Sequence, residues 1–112
     1  VFTFGGAKME YNLKMICGNT QNFTVQNNDG DFEEGDKVTF SVKKNYSDDT
    51  YLLKKEVTVF AGNLADISIL PRDTANIEPG QYVYDIQFSS FDGKVKTIFK
   101  GDFILDWRVT DE

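Results

Sequence analysis

Apolar and polar residues alternate in short runs along most of this sequence, and turn residues separate the runs about every ten positions. The clearest run is KVTFSVK (37–43), where valine and phenylalanine alternate with threonine, serine and lysine. A period of two places successive side chains on opposite faces of a strand, so each run predicts a strand with one buried face. No run has the longer period of an amphipathic helix. The chain is therefore predicted to be all-β.

The number of runs and the length of the chain narrow the architecture further. Seven or eight runs fit within 112 residues, which is the length of one domain. This spacing predicts an immunoglobulin-like antiparallel β-sandwich of seven or eight strands, with a small β-barrel as the alternative. Asp92-Gly93 predicts a two-residue hairpin, and Gly101 predicts a bulge or bend in a long final strand that resumes over 103–109.

Two segments are distinguished along the chain. Residues 9–112 are predicted to form the single sandwich domain, and residues 1–8 are interpreted as a leader or linker. The segment VFTF (1–4) is a candidate strand for the edge of a neighbour's sheet. Open sandwiches expose strand edges that associate unless they are paired or blocked, so contacts with other copies of the chain are also expected.

The charge of the chain bears on its partners. The formal net charge is −6 and the isoelectric point is near 4.6, which argues against nucleic acid and against an anionic membrane surface. The longest basic runs are Lys43-Lys44 and Lys54-Lys55, and both are interpreted as solvated strand ends. No apolar stretch approaches the roughly 18 residues of a membrane span. We therefore expect neither nucleic acid nor membrane among the partners.

The chain contains no histidine, which removes the commonest general base and the commonest zinc ligand together. Cys17 is the single cysteine, so no internal disulfide can form. It lies at the apolar phase of a predicted strand and is interpreted as a small core residue. These observations predict a protein that is not an enzyme and that has neither catalytic residues nor a cofactor.

One loop concentrates carboxylates between two predicted strands. Asp29, Asp31 and Asp36 are weak candidates for calcium ligands, because calcium prefers oxygen donors. Their spacing does not follow the EF-hand pattern. A solvated loop explains them better, so no metal site is predicted.

The aromatic residues have two interpretations. Trp107 is in phase with Phe103 and Leu105, and this phase predicts a core position. The alternative is that Trp107, Phe60 and Tyr51 form an exposed platform that stacks on sugars.

The segment IEPGQY (77–82) has the form of a tyrosine corner, which joins the two sheets of a Greek-key sandwich. In this interpretation Pro79 and Gly80 form the turn and Ile77 anchors it. The hydroxyl of a buried Tyr82 donates a hydrogen bond to backbone a few residues upstream. Ile77, Pro79, Gly80 and Tyr82 are thus predicted to be structural residues.

The residues on either side of this corner also have predicted roles. Asp73 and Thr74 are suited to cap a single helical turn through hydrogen bonds to backbone. Tyr84, Ile86 and Phe88 are predicted to enter the core. The alternation then places Asp85 on the opposite face of the strand, where it becomes a candidate interface residue.

A succession of motifs resembles a known family of small sandwich domains. The motifs are GNTQNFTV (18–25), GDKVTFSVKK (35–44), PRDT (71–74), PGQYVYDIQ (79–87), DGKVKTIFKGDFIL (92–105) and VT (109–110). They resemble the N-terminal domain of upper baseplate proteins, and related tail-tip components, of phages and prophages of Gram-positive bacteria. The resemblance implies a virion structural protein of a tail or baseplate, made in the bacterial cytoplasm, that acts through contacts with other tail or baseplate proteins. The alternative hypothesis is a carbohydrate-binding or adhesin module of a bacterial surface.

Overall fold

The computed structural model describes residues 2–4 and 9–107. These residues form nine strands and one short helix. The elements are β1 (Phe2–Phe4), β2 (Met9–Glu10), β3 (Leu13–Ile16), β4 (Gln21–Asn27), β5 (Lys37–Lys43), β6 (Leu53–Val57), β7 (Leu64–Ile69), α1 (Pro71–Thr74), β8 (Gly80–Ser89) and β9 (Val95–Asp106).

The strands form two sheets, as the sequence predicts. The smaller sheet has the order β1-β4-β7, and the larger has the order β2-β9-β8-β5-β6, with β3 also paired to β9. The prediction of an all-β, immunoglobulin-like sandwich is confirmed. The larger sheet is mixed, however, because β2 and β3 both run parallel to β9. Parallel partners need a long connection, and most of the chain lies between these partners.

The first strand lies at the edge of the smaller sheet. β1 runs parallel to β4 of the same chain, and Phe2 lies opposite Val25. This pairing shows that the segment can form an edge strand. Whether residues 1–8 are a leader or linker, and whether VFTF also pairs with a neighbour, stay predictions.

Phe40 lies at the centre of the core between the sheets. Its ring centroid is 5.8 Å from that of Phe23 in the smaller sheet. It is 5.7 Å from Tyr84 and 6.1 Å from Phe103 in the larger sheet. Cys17 is half-buried at the margin of this core, where its thiol donates to the Thr74 carbonyl oxygen at 3.4 Å.

The hairpin between β8 and β9 is longer than predicted. The Ser90 N–H donates to the Lys94 carbonyl oxygen at 2.8 Å, so three residues form the loop between them. Gly93 has a φ of 91°, whereas no other type of residue in the described chain has a positive φ. A two-residue type I′ turn requires a positive φ at both central positions, and Asp92 does not adopt one.

Gly101 does not form the predicted bulge. The irregularity in the pairing of β8 with β9 lies between Ile86 and Gln87, whereas Gly101 pairs regularly with Tyr84. A Cβ atom at Gly101 would lie 2.3 Å from the Tyr11 carbonyl oxygen. Glycine is therefore needed here because the segment before β3 passes very close to β9.

Trp107 is not a core residue. Phe103 and Leu105 are buried as their phase predicts, but 77% of Trp107 is exposed. β9 ends at Asp106, and its last partners are Leu105 opposite Gly80 and Asp106 opposite Ile16. No described strand pairs with the chain beyond that point, so the alternation continues without a surface to pack on. Val109 lies outside the described residues.

The corner contains the hydrogen bond that defines a tyrosine corner. The Tyr82 hydroxyl donates to the Glu78 carbonyl oxygen, Ile77 is buried, and Gly80 begins β8. Tyr82 itself is half-buried rather than buried. The buried tyrosine is Tyr84, whose hydroxyl donates to the Tyr11 carbonyl oxygen.

Asp73 and Thr74 were both predicted to cap the short helix. Asp73 caps its N-terminus, whereas Thr74 attaches the helix to another part of the chain. The Asp73 carboxylate accepts the Leu70 N–H at 2.7 Å, and Lys55 of β6 pairs with the same carboxylate at 2.7 Å. The buried Thr74 hydroxyl instead accepts the Gly18 N–H at 2.9 Å. The helix is thereby attached both to β6 and to the turn after β3.

We expect Tyr82→Phe to lower the free energy of unfolding by about 1 kcal/mol, because the half-buried tyrosine loses its hydrogen bond to the Glu78 carbonyl oxygen. Denaturant unfolding followed by circular dichroism measures the change. Tyr51→Phe is the matched control, since the Tyr51 hydroxyl forms no hydrogen bond with another described residue. Equal losses in the two variants would show that the corner bond does not stabilise the fold.

Candidate functional site

A polar groove crosses the outer face of the larger sheet. Val38, Phe40 and Val42 point into the core, so the alternate residues of β5 point outward. The same alternation turns Asp85 and Gln87 of β8 outward. The groove has a volume of about 210 Å³. Its lining residues are Lys37, Thr39, Ser41, Lys43, Tyr51, Lys54, Asp85, Gln87 and Ser89.

Two hydroxyl groups form part of the groove floor. Thr39 is 8% exposed and Ser41 is 7% exposed, which is unusual for polar residues on an outward face. Neither hydroxyl is hydrogen-bonded to another described residue. Both line the groove, so they can donate to a ligand that enters it.

Lysine side chains converge on one aromatic ring at the side of the groove. The Nζ atoms of Lys43 and Lys54 lie 4.8 Å and 5.0 Å from the centroid of the Tyr51 ring. No carboxylate of the described chain lies within 4.0 Å of either ammonium group. Lys37, in contrast, pairs with Glu56 at 3.0 Å. The ring attracts both cations through its negative face, but neither forms an ion pair within the described chain.

A second tyrosine borders the other side of Asp85. The Tyr46 hydroxyl donates to the Gly101 carbonyl oxygen at 3.1 Å, which fixes the ring above β8 and β9. Lys100 places its Nζ atom 5.3 Å from the centroid of that ring. Lys100 likewise has no carboxylate of the described chain within 4.0 Å. This side therefore repeats the combination of a tyrosine ring and a free ammonium group.

Asp85 is the one carboxylate among the residues that line the groove. Its side chain is half-buried, and this burial raises its pKa above the ordinary value although Lys43 opposes the shift. Asp85 lies opposite Ser41 of β5 on one side and Lys100 of β9 on the other. The structure thus places this residue on the outer face, at the base of the groove.

The raised pKa of Asp85 predicts a pH-dependent contribution to stability. The folded chain binds this proton more tightly than the unfolded chain, so the contribution is complete below the ordinary pKa of 3.8 and is lost as the pH rises through the raised pKa. We expect Asp85→Asn to remove this loss, so the variant gains stability relative to the unmodified chain as the pH rises. Unfolding free energies across a pH series measure this, with exposed Asp49→Asn as the control. Parallel pH profiles for Asp85→Asn and the unmodified chain would contradict the expectation.

The three aspartates considered as calcium ligands do not form a ligand set. Asp36 is buried, and its two carboxylate oxygens accept the N–H groups of Glu33 and Phe91, both at 2.8 Å. Asp29 and Asp31 are exposed. No group of three or more cysteine, aspartate or glutamate residues in the described chain could hold a metal ion. Asp36 is a structural residue that closes the loop before β5.

The aromatic residues of the proposed sugar platform are not brought together. Phe60 is half-buried and stacks on Phe32, with ring centroids 4.2 Å apart. Trp107 follows β9 and Tyr51 precedes β6, and two strands of the sheet lie between these elements. With strands about 4.8 Å apart, the backbones of β9 and β6 are about 14 Å from each other.

The sequence patterns do not reveal the groove. Lys43 and Lys54 appear in the sequence as ordinary charged residues at strand ends. Only the pairing of β5 with β6, which sets Ser41 opposite Lys54, places both side chains beside one ring. Thr39 and Ser41, at the outward phase of β5, were the one sequence signal of a polar surface here. This signal is weak, because exposed strands often contain threonine and serine.

Comparisons with known proteins support the fold of this chain but not a function. No family model matches the chain, and no curated protein matches it. A solved structure of a candidate glycoside hydrolase from Bacteroides vulgatus ATCC 8482 is similar, with a TM-score of 0.53, 13% identity and 89% of this chain covered. This chain spans 17% of the length of that protein. The structure of murine CRIg is similar over 87% of this chain and 92% of its own, with a TM-score of 0.42 and 12% identity.

Among residues 2–4 and 9–107, no helix is long and apolar enough to cross a bilayer.

Proposed function

We propose that this chain is a non-enzymatic assembly protein of a phage or prophage tail or baseplate, and that it acts in the virion through protein–protein contacts. The groove on the outer face of the larger sheet is the observation that carries the proposal. It combines the ammonium groups of Lys43 and Lys54, which form no ion pair in the described chain, with hydroxyl donors and a half-buried carboxylate. Such a surface is suited to bind complementary polar side chains.

The chemistry of the groove supports binding rather than catalysis. Hydrolysis of a glycosidic bond generally requires two carboxylates, one of them with a raised pKa. The pKa of Asp85 is raised, but Asp85 has no second carboxylate beside it among the lining residues. The chain also has no histidine that could act as a general base.

The phage assignment rests on the resemblance of the sequence motifs to baseplate domains. Its test is the composition of tail particles induced from the bacterium that encodes the chain. We expect mass spectrometry of purified particles to detect this chain in a fixed ratio to known tail proteins. Its absence from particles, while it is present in the lysate, would contradict the proposal.

A carbohydrate-binding or adhesin module is the second candidate, and the exposure of Trp107 favours it. With 77% of its surface exposed, this ring is accessible for stacking on a sugar. The candidate predicts that cell-wall polysaccharide binds the chain and that Trp107→Ala abolishes the binding. Calorimetry with purified polysaccharide measures both, and no detectable heat with the unmodified chain would remove this candidate.

A further inference from the structure

We propose that the outer-face groove receives the acidic loop of a second copy of this chain. The acidic loop is defined as residues 29–34, DGDFEE, with exposed Asp29, Asp31, Glu33 and Glu34. This inference depends on the part of the proposed function that assigns the chain to protein–protein contact. It specifies the partner as a rigid segment that is rich in carboxylates and that belongs to another copy of this chain.

Three lysines line the groove and Asp85 is the one carboxylate among its lining residues, so the charge of the lining favours an incoming carboxylate. The ammonium groups of Lys43 and Lys54 lie 4.8 Å and 5.0 Å from the centroid of the same Tyr51 ring, and neither has a carboxylate of the described chain within 4.0 Å. A carboxylate that contacts either ammonium group would form charge-assisted hydrogen bonds with it, which the aromatic ring does not provide. The hydroxyls of Thr39 and Ser41 line the same groove without a partner in the described chain, so they supply further donors.

The acidic loop is held in one conformation, so binding would cost little conformational entropy. Phe32, at the centre of the loop, stacks on Phe60 at 4.2 Å, and its N–H donates to the Gly62 carbonyl oxygen at 2.9 Å. Asp36 closes the C-terminal side of the loop through its bonds to Glu33 and Phe91. The carboxylates of the loop therefore project from a fixed base.

The two surfaces occupy different positions on one molecule. The acidic loop directly precedes β5, and none of the residues that line the groove belongs to the loop. Two copies that exchange loop and groove about a two-fold axis form a closed dimer, whereas a one-way contact of loop with groove repeats as a ring or a filament. The net charge of −6 opposes association over longer distances. At about 0.15 M salt this repulsion is screened beyond roughly 8 Å, whereas contacting pairs persist.

Charge reversal on each surface tests the inference by sedimentation velocity at this salt concentration. We expect the unmodified chain to self-associate, and Lys43→Glu/Lys54→Glu to weaken its association at least about tenfold. Glu33→Lys/Glu34→Lys should weaken it to a similar extent. Mixing the two variants should restore assembly, because the new glutamates in the groove of one can pair with the new lysines in the loop of the other. Circular dichroism establishes that each variant is folded.

Lys44→Glu/Lys94→Glu is the matched control, because it changes the net charge equally at exposed lysines that do not line the groove. We expect its association to equal that of the unmodified chain. A monomeric unmodified chain, equal weakening by the control, or no recovery in the mixture would each overturn the inference. Each of these results would overturn the contact between loop and groove only. The proposed function would fail separately, if the chain were absent from purified tail particles.

Discussion

We expect Phe40→Ala to lower the free energy of unfolding by about 3 to 5 kcal/mol, because it leaves a cavity at the centre of the core. Phe40 is fully buried and its ring contacts Phe23, Tyr84 and Phe103, which belong to both sheets. The loss therefore removes packing between the sheets as well as within one of them. Denaturant unfolding followed by circular dichroism measures it.

Phe91→Ala is the control for this change, because 62% of Phe91 is exposed in the β8–β9 loop. We expect it to alter stability by less than about 0.5 kcal/mol. Similar losses in the two variants would mean that Phe40 does not hold the two sheets together.

We expect Gly101→Ala to destabilise the chain by about 3 kcal/mol, because the added methyl group overpacks a contact between backbones. The new Cβ would lie 2.3 Å from the oxygen and 2.8 Å from the carbon of the Tyr11 carbonyl group. Backbone cannot rotate away as a side chain can, so the segment before β3 must move from β9. Hydrogen exchange at the N–H of Tyr11, which donates to the Lys100 carbonyl oxygen at 2.9 Å, locates the change.

Gly80→Ala provides the matched control on the neighbouring strand. A Cβ there would meet its nearest atoms, in the Tyr82 ring, at 3.8 Å, which is ordinary contact. We expect little change in stability. If Gly101→Ala were as well tolerated as Gly80→Ala, the close passage of Tyr11 over β9 would not be rigid.

Local pattern was sufficient to predict most strands and the corner. Alternation over 37–43 identifies β5 and its buried face, and the proline and glycine before Tyr82 indicate the turn that enters β8. These features depend on residues close in sequence. The same is true of Asp73, whose bond to Leu70 spans three residues.

Features that depend on contacts distant in sequence were not predictable. The phase of Trp107 continues that of Leu105, but burial requires a neighbouring strand, and the strands beside β9 end before it. The reason for glycine at position 101 is a backbone 90 residues earlier in the chain. The convergence of Lys43 and Lys54 on Tyr51 likewise follows from strand pairing.

Protection of individual lysines in assembled particles tests the central claim most directly. Lysines are acetylated in purified tail particles and in the free chain, diluted until sedimentation velocity shows a monomer, and mass spectrometry compares the extent of labelling at each position. If the outer-face groove is the assembly interface, Lys43, Lys54 and Lys100 are protected in particles, whereas Lys44 and Lys94 react equally in both samples. Equal reactivity of all five lysines in a chain that is present in the particle would contradict the account.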